Sequence, residues 1–278
     1  MYLFIKKIFL FFIILIVSLN SKASVDTIFI PSISMHKEIK TIVITPASYK
    51  KKSNTYAVVY LLHGAMGNST NWINKVPELQ SMADEENIMI ICPDGSVNSW
   101  YFDSPVDSTY KYETHVSTEV PEYIDNHYRT IKDRKARAIT GLSMGGHGAM
   151  FIAFRHAQNF GACGSMSGAL NVSLITRGYD VNKRLGDTIL NKKYYTDWSV
   201  LNVIENQPSD SLAIIMDCGL QDFIYGMTKA THEKLVSLKI PHDYIERPGK
   251  HDWKYWANAI RYQMIFFNEY FKKQGIKS

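Results

Sequence analysis

Short runs of apolar and β-branched residues recur along the chain, and most of them are continuous rather than alternating with polar residues. Continuous runs are typical of strands in a parallel sheet, because both faces of such a strand are buried under helices. Seven runs are predicted to be strands: residues 39–46, 56–64, 87–95, 137–143, 161–168, 212–219 and 242–249.

Segments with helical spacing of apolar residues separate most of these runs. They are residues 76–86, 115–128, 144–157, 229–239 and 252–274. The alternation of strand and helix predicts an α/β domain, with a mostly parallel central sheet and helices on both faces. No helical pattern separates "TIFIPS" from "IKTIVITP", so these two segments are expected to pair as an antiparallel hairpin at one edge of the sheet.

The segment from Ala169 to Asp210 is long for a connection between two strands. Structureless loops longer than about 12–15 residues are uncommon inside compact domains. We therefore expect this insertion to contain short helices of its own and to form a small partial cap over the functional site.

The N-terminal segment has the features of a secretory signal. Lys6 and Lys7 precede an apolar run, and Ser21-Lys22-Ala23 has the small-x-small form of a cleavage site. The alternative is a membrane anchor, but the uncharged run is shorter than the roughly 20 apolar residues that span a bilayer. The sequence predicts a signal peptide over residues 1–23 and an exported protein, periplasmic or secreted, with no stable membrane insertion after cleavage.

Composition favours one globular domain over residues 24–278, since 46% of the 278 residues are hydrophobic. Removal of the predicted signal takes away three lysines and no acid, which lowers the formal net charge from +5 to +2. That charge and the absence of a basic run argue against a nucleic-acid partner. Cys92, Cys163 and Cys218 are an odd set that fits no zinc-site spacing, and we expect them to be buried thiols.

The motif G-L-S-M-G places Ser143 between two glycines at the junction of a predicted strand and a predicted helix. This is the context of a nucleophile elbow, where a sharp turn exposes the serine hydroxyl. The alternative is an ordinary glycine-rich turn with no chemistry. A serine becomes a good nucleophile only when a base accepts its proton, so the interpretation requires a histidine and an acid elsewhere in the chain.

Both groups follow Ser143 in the order that hydrolases of this kind use. Asp222 comes directly after the strand-like run that ends near Asp217, and His251 comes directly after the last strand-like run. Asp217 is expected to belong still to its strand, and Asp252 to open the last helix as a capping carboxylate. We predict a catalytic triad of Ser143, Asp222 and His251.

The remaining histidines fit structural roles better. His232 lies in an amphipathic helix, His242 leads into a strand, and His147 lies inside the helix after Ser143, where it is expected to pack beneath the site. The oxyanion hole requires two backbone N–H groups, which we assign to Met144 and to Ala65 in the loop after "YLLHG". His63 in this loop is expected to organise the backbone.

Six separated motifs together resemble one family, and the resemblance runs from about Ile39 to Phe271. They are "LLHGAMGN", "NSWYFDSP", "YETHVSTEVPEYID", "GLSMGGHGAM", "CGLQDF" and "GKHDWKYW". The chain is similar to the esterase D family of α/β-hydrolases, which includes carboxylesterases, S-formylglutathione hydrolases, carbohydrate acetyl and feruloyl esterases, and mycolyltransferases. The resemblance implies an α/β-hydrolase fold, serine ester hydrolysis without cofactor or metal, and the same triad and oxyanion amides.

The family's W-Y-x-D segment matches Trp100, Tyr101 and Asp103, and the resemblance places it near the acyl or alcohol side of the cleft. Trp100 could equally be core. Trp100, Tyr101 and Trp253 could offer flat faces to a sugar or an aromatic acid.

One departure from the family pattern narrows the range of expected substrates. Formylglutathione hydrolases typically carry a cysteine in the oxyanion loop, and "HGAMGN" has none. The expected function is therefore an exported serine carboxylesterase that acts on small-molecule or carbohydrate esters, with acetyl or feruloyl groups foremost. The alternatives are an acyltransferase that uses the same triad and an inactive carbohydrate-binding module. The sequence leaves the oligomeric state open.

Overall fold

The apolar runs form one eight-stranded sheet in the computed structural model of the chain, which describes residues 23–175, 178–206 and 212–276. The strand order is β1-β2-β4-β3-β5-β6-β7-β8. The strands are β1 (Ser24–Ser32), β2 (Lys37–Thr45), β3 (Val58–Leu62), β4 (Met89–Pro93), β5 (Arg137–Gly141), β6 (Ala162–Met166), β7 (Ala213–Gly219) and β8 (Asp243–Arg247).

The first two strands pair antiparallel with each other, and β2 pairs antiparallel with β4. The strands from β4 to β8 are mutually parallel. The predicted edge hairpin and the mostly parallel sheet are therefore both confirmed.

Helices cover both faces of this sheet. They are α1 (Asn71–Lys75), α2 (Leu79–Glu85), α3 (Tyr112–Thr114), α4 (Val120–His127), α5 (Met144–Arg155), α6 (Val181–Leu185), α7 (Lys192–Asp197), α8 (Val200–Val203), α9 (Tyr225–Ser237) and α10 (Trp253–Lys273). A π-helical turn, His115–Glu119, joins α3 to α4.

The central strand β3 shows how the two faces divide the core. Val58, Tyr60 and Leu62 pack with apolar residues of α4, α5, α9 and the insertion. The intervening Val59 and Leu61 pack with α1, α2 and α10. Every residue of β3 is buried, as the continuous apolar pattern predicted.

The insertion contains α6, α7 and α8, which confirms that it has short helices of its own. Cys92, Cys163 and Cys218 are buried free thiols, as predicted. Residues 1–22 of the predicted signal peptide lie outside the described residues. Within the part of the chain that the structure describes, no helix combines the length and the apolarity needed to cross a bilayer.

Candidate active site

Ser143 occupies the turn between β5 and α5 with φ 54° and ψ −119°, a conformation that non-glycine residues rarely adopt. The turn is tight because α5 begins directly over the end of β3. A Cβ at Gly145 would lie 2.5 Å from the carbonyl oxygen of His63 and 2.7 Å from that of Leu62. The glycine thus lets the helix approach the strand, and the elbow predicted from G-L-S-M-G is present.

The structure brings Ser143, His251 and Asp222 into one hydrogen-bonded chain. His251 Nε2 lies 3.0 Å from Ser143 Oγ. His251 Nδ1 lies 3.0 Å from Oδ1 and 2.9 Å from Oδ2 of Asp222. A carboxylate only accepts, so Nδ1 carries the proton and Nε2 is left free to accept from the serine hydroxyl.

The surroundings keep Asp222 ionised. Burial raises the pKa of this carboxyl, but hydrogen bonds from His251 and from the backbone N–H of Ile224 outweigh burial and hold the pKa below its ordinary value. The imidazole of His251 packs against the rings of Phe223 and Trp256, with ring centroids 4.6 and 4.8 Å away. The ring that would move the proton is thereby fixed in orientation.

Two backbone N–H groups beside Ser143 are free to bind an anion. The amides of Ala65 and Met144 donate no hydrogen bond within residues 23–175, 178–206 and 212–276, and both residues line the cavity at Ser143. The loop that carries Ala65 is fixed, since Met66 N–H donates to the carbonyl of Val97 at 2.7 Å.

His63 organises this loop from below. Its Nδ1 donates to the carbonyl of Gly64 at 2.8 Å, and its Nε2 accepts from the N–H of Gly95 at 2.8 Å. Burial lowers the pKa of the imidazole, so the ring is neutral. The structural role predicted for His63 agrees with this geometry.

The competing acids bond to groups other than His251. Asp217 is buried in β7, where it accepts from Arg247 Nη2 at 2.7 Å and from the hydroxyl of Tyr255. Asp252 caps α10 and accepts from the N–H of Tyr255 at 2.9 Å. Both acids occupy the positions that the sequence predicted.

The other histidines are also placed as predicted. His147 is buried under the site, and its Nε2 donates to the carbonyl of Trp198 in the insertion at 2.9 Å. His232 Nδ1 and His242 Nε2 lie 2.8 Å apart and share one hydrogen bond outside the site.

A small apolar cavity of about 30 Å³ opens at Ser143. Its lining residues are Ala65, Trp100, Ser143, Met144, Ala169, Ile175, Tyr179, Phe223 and Ile224. Ile175 and Tyr179 come from the insertion, and the indole N–H of Trp100 donates to the carbonyl of Tyr179 at 2.8 Å. The insertion therefore forms one wall of the cavity, as the cap interpretation expected.

The three aromatic residues singled out in the sequence have different positions. Trp100 contributes to the cavity wall. Tyr101 has no free face, because it is fully buried and its hydroxyl donates to the carbonyl of His63 at 3.0 Å. Trp253 is outside the cavity lining and packs edge-on against Trp72 and Trp256. The substrate-facing role suggested for Tyr101 does not fit its burial, and the role suggested for the half-buried Trp253 stays a prediction.

Sequence reasoning missed the cavity residues Ile175, Tyr179 and Phe223. Phe223 could have been found, because it follows Asp222 directly and must lie near the histidine. The two insertion residues carry no local signal, since only the folded chain shows which part of the long connection returns to Ser143.

The Esterase family model matches residues 32–267. The chain belongs to this family. An acetyl esterase of Caldicellulosiruptor saccharolyticus is 27% identical over 222 residues, which cover 75% of this chain and 82% of the relative. A mycolyltransferase of Mycobacterium avium, Ag85B, is 30% identical over 158 residues, 54% of this chain and 45% of the relative.

Among solved structures, a ferulic acid esterase superposes with a TM-score of 0.79 at 27% identity. The match covers 91% of this esterase and 99% of that chain. The predicted α/β-hydrolase fold and the resemblance drawn from the six motifs are thus confirmed. The chain is a carboxylic ester hydrolase.

Proposed function

We propose that this esterase is a serine esterase whose nucleophile is Ser143, with His251 as general base and Asp222 as the group that orients the histidine. The observation that carries the proposal is the continuous hydrogen-bonded chain from Asp222 through His251 to Ser143 Oγ, at 2.9 and 3.0 Å. The two free amides of Ala65 and Met144 supply the electrostatic part of the same machinery.

Ser143 Oγ attacks the ester carbonyl carbon while its proton passes to His251 Nε2. The carbonyl oxygen becomes an oxyanion held by the N–H groups of Ala65 and Met144. Collapse breaks the bond to the alcohol, which leaves with the proton from His251. Water then attacks the acyl-enzyme with His251 as base, and the acid departs as Ser143 regains its proton.

The cavity at Ser143 favours a short acyl group. About 10–15 Å³ of such space is enough to hold one water molecule, so a cavity of about 30 Å³ has room for a group of a few heavy atoms, such as an acetyl group. A feruloyl group is much larger than this space, which Ile175 and Tyr179 bound on the side of the insertion. The acetyl esterase and ferulic acid esterase relatives supply the two alternatives, and the cavity supports acetyl.

The proposed setting is outside the cytoplasm, with an acetylated carbohydrate as substrate. The proposal of export rests on the signal features of residues 1–23. The proposal of a carbohydrate substrate rests on the resemblance to carbohydrate acetyl and feruloyl esterases. The absence of a cysteine in the oxyanion loop supports a substrate other than a glutathione thioester.

The test compares kcat/KM for a synthetic acetyl ester with that for a matched feruloyl ester. We expect the acetyl ester to be preferred at least tenfold, and Ser143→Ala to abolish turnover. Ser237→Ala, which changes an exposed serine at the end of α9, is the matched control and should retain wild-type rates. A feruloyl preference would overturn the acyl assignment, and undiminished turnover by Ser143→Ala would overturn the serine mechanism.

A fluorophosphonate probe, which reacts with an activated serine, tests the nucleophile independently of which ester the enzyme prefers. It should label the wild type and Ser237→Ala and leave Ser143→Ala unlabelled.

Addition of a sugar acceptor to the acetyl-ester assay detects acyl transfer. Net formation of sugar ester in place of free acid would change the assignment from hydrolase to transferase.

A further inference from the structure

A second concavity, which we call the His-loop groove, lies beside the triad. It has a volume of about 560 Å³ and is formed by the loops after β7 and β8 and by the start of α10. Its lining residues are Gln221, Arg247, Pro248, Gly249, Lys250, Asp252, Lys254, Tyr255 and Asn258.

The groove carries an excess of positive charge. Lys250 and Lys254 line it together with the carboxylate of Asp252, and the charge of a third basic residue, Arg247, is balanced by its ion pair with Asp217. Lys250 and Lys254 are exposed and form no ion pair with any residue of the described ranges. One carboxylate oxygen of Asp252 already accepts a hydrogen bond from the N–H of Tyr255, as the cap of α10. Two uncompensated ammonium groups therefore face solvent along one concave surface.

Arg247 lines the groove as well, and its side chain is held in place on several sides. Its Nη2 donates to the buried Asp217 at 2.7 Å. Its guanidinium also lies 4.9 and 4.4 Å from the ring centroids of Tyr255 and Tyr262. A side chain held by an acid and two aromatic faces cannot swing away, so this part of the lining keeps its shape.

The loops that form the walls are tied to one another. Gln221 N–H donates to the carbonyl of Gly249 at 3.0 Å, and Gly249 N–H donates to Gln221 Oε1 at 2.8 Å. Such a reciprocal pair makes the two loops one rigid unit.

The same two loops carry the acid and the base of the triad. Gln221 immediately precedes Asp222, and Lys250 immediately precedes His251. Successive Cα atoms are about 3.8 Å apart. The groove is therefore built from the same two loops that hold Asp222 and His251.

We propose that the His-loop groove binds a carboxylate-bearing sugar unit of the glycan whose ester is cleaved at Ser143. Two ammonium groups on flexible stems can pair with a carboxylate, and the amides of Gln221 and Asn258 can bond to sugar hydroxyls. A neutral glycan could form hydrogen bonds but no ion pair with the lysines, so the preferred substrate is an acetylated, uronate-containing polysaccharide. This inference rests on the proposed serine esterase function.

The test uses the double variant Lys250→Glu/Lys254→Glu with three substrates: acetylated polygalacturonate, acetylated neutral xylan and p-nitrophenyl acetate. We expect KM for the acidic polymer to rise at least tenfold in the variant, with kcat/KM for the other two unchanged within twofold. For the wild type, KM for the acidic polymer should rise with salt, because exposed charges are screened.

The matched control is Lys51→Glu/Lys52→Glu, the same charge change on exposed lysines that precede β3, at the opposite end of the parallel strands from the triad. It should leave all three substrates unaffected. Equal effects of the two double variants, or no effect of Lys250→Glu/Lys254→Glu on the acidic polymer, would overturn the groove assignment while p-nitrophenyl acetate is still cleaved. Failure of the wild type to cleave any of the esters would instead overturn the proposed function.

Discussion

Ser143 shows how one residue can be both strained and necessary. Its φ of 54° costs free energy that an L-residue avoids elsewhere, and two neighbouring glycines make the turn possible. This conformation directs the hydroxyl out of the turn, so that Oγ lies 3.0 Å from His251 Nε2. The sequence predicted this residue because the local motif determines the local turn, whatever the rest of the chain does.

Asp222→Asn should lower kcat by about 10³–10⁴ and leave KM nearly unchanged. An asparagine amide can donate to His251 Nδ1, which would place the imidazole proton on Nε2 and prevent it from accepting the proton of Ser143. Steady-state kinetics with p-nitrophenyl acetate check this. Asp243→Asn, at the exposed start of β8, is the control and should keep wild-type kcat; a kcat above a tenth of wild type in Asp222→Asn would assign the acid role elsewhere.

At the scale of elements, α5 is placed by the absence of a side chain at Gly145. Gly145→Ala would drive a Cβ to 2.5 Å from the carbonyl oxygen of His63. We expect a loss of about 1–3 kcal/mol in the free energy of unfolding, the usual cost of overpacking. The shift of His63 should also disturb the oxyanion loop and lower kcat.

Urea unfolding and kinetics measure both effects. Gly226→Ala in α9 is the matched control, because nothing lies within 4 Å of its added Cβ. It should be neutral or stabilise by up to about 1 kcal/mol. A Gly145→Ala protein as stable and active as Gly226→Ala would show that α5 can move away from β3 without cost.

The sequence predicted elements well where one local pattern decides the outcome. β3 and β4 are continuous apolar runs, and Asp252 has the form of a helix cap, so each could be assigned from its neighbours. Tyr101 and Trp253 could not, because an aromatic ring fits a cleft or a core equally well. Their positions are set by His63 and Trp72, partners that are distant in sequence.

At the scale of the whole molecule, the insertion and the nucleophile helix are joined through His147. Its Nε2 donates to the carbonyl of Trp198 at 2.9 Å, while its Nδ1 is buried and has no partner among the described residues. The ring packs within 6 Å of Trp100 and Phe102, by centroid distances of 5.8 and 5.4 Å. One buried, neutral histidine of the nucleophile helix therefore contacts both the insertion and Trp100 of the cavity wall.

This histidine makes the stability of the esterase depend on pH. Burial lowers the pKa of His147 from 6.5 to about 4. Between those values the unfolded chain binds a proton that the folded protein excludes, so the free energy of unfolding falls as pH decreases from 6.5 to 4. The shift corresponds to about 3 kcal/mol, and below pH 4 this group contributes no further change.

Urea unfolding of the wild type and of His147→Gln at pH 7, 5.5 and 4.5 measures the effect. Glutamine can keep a hydrogen bond to the carbonyl of Trp198 but does not titrate, so the variant should lose less stability over this range. The comparison between the two proteins is needed because burial also lowers the pKa of His63, which contributes to the slope of both. Parallel pH profiles for the two proteins would mean that His147 accepts a proton in the folded state as readily as in the unfolded chain.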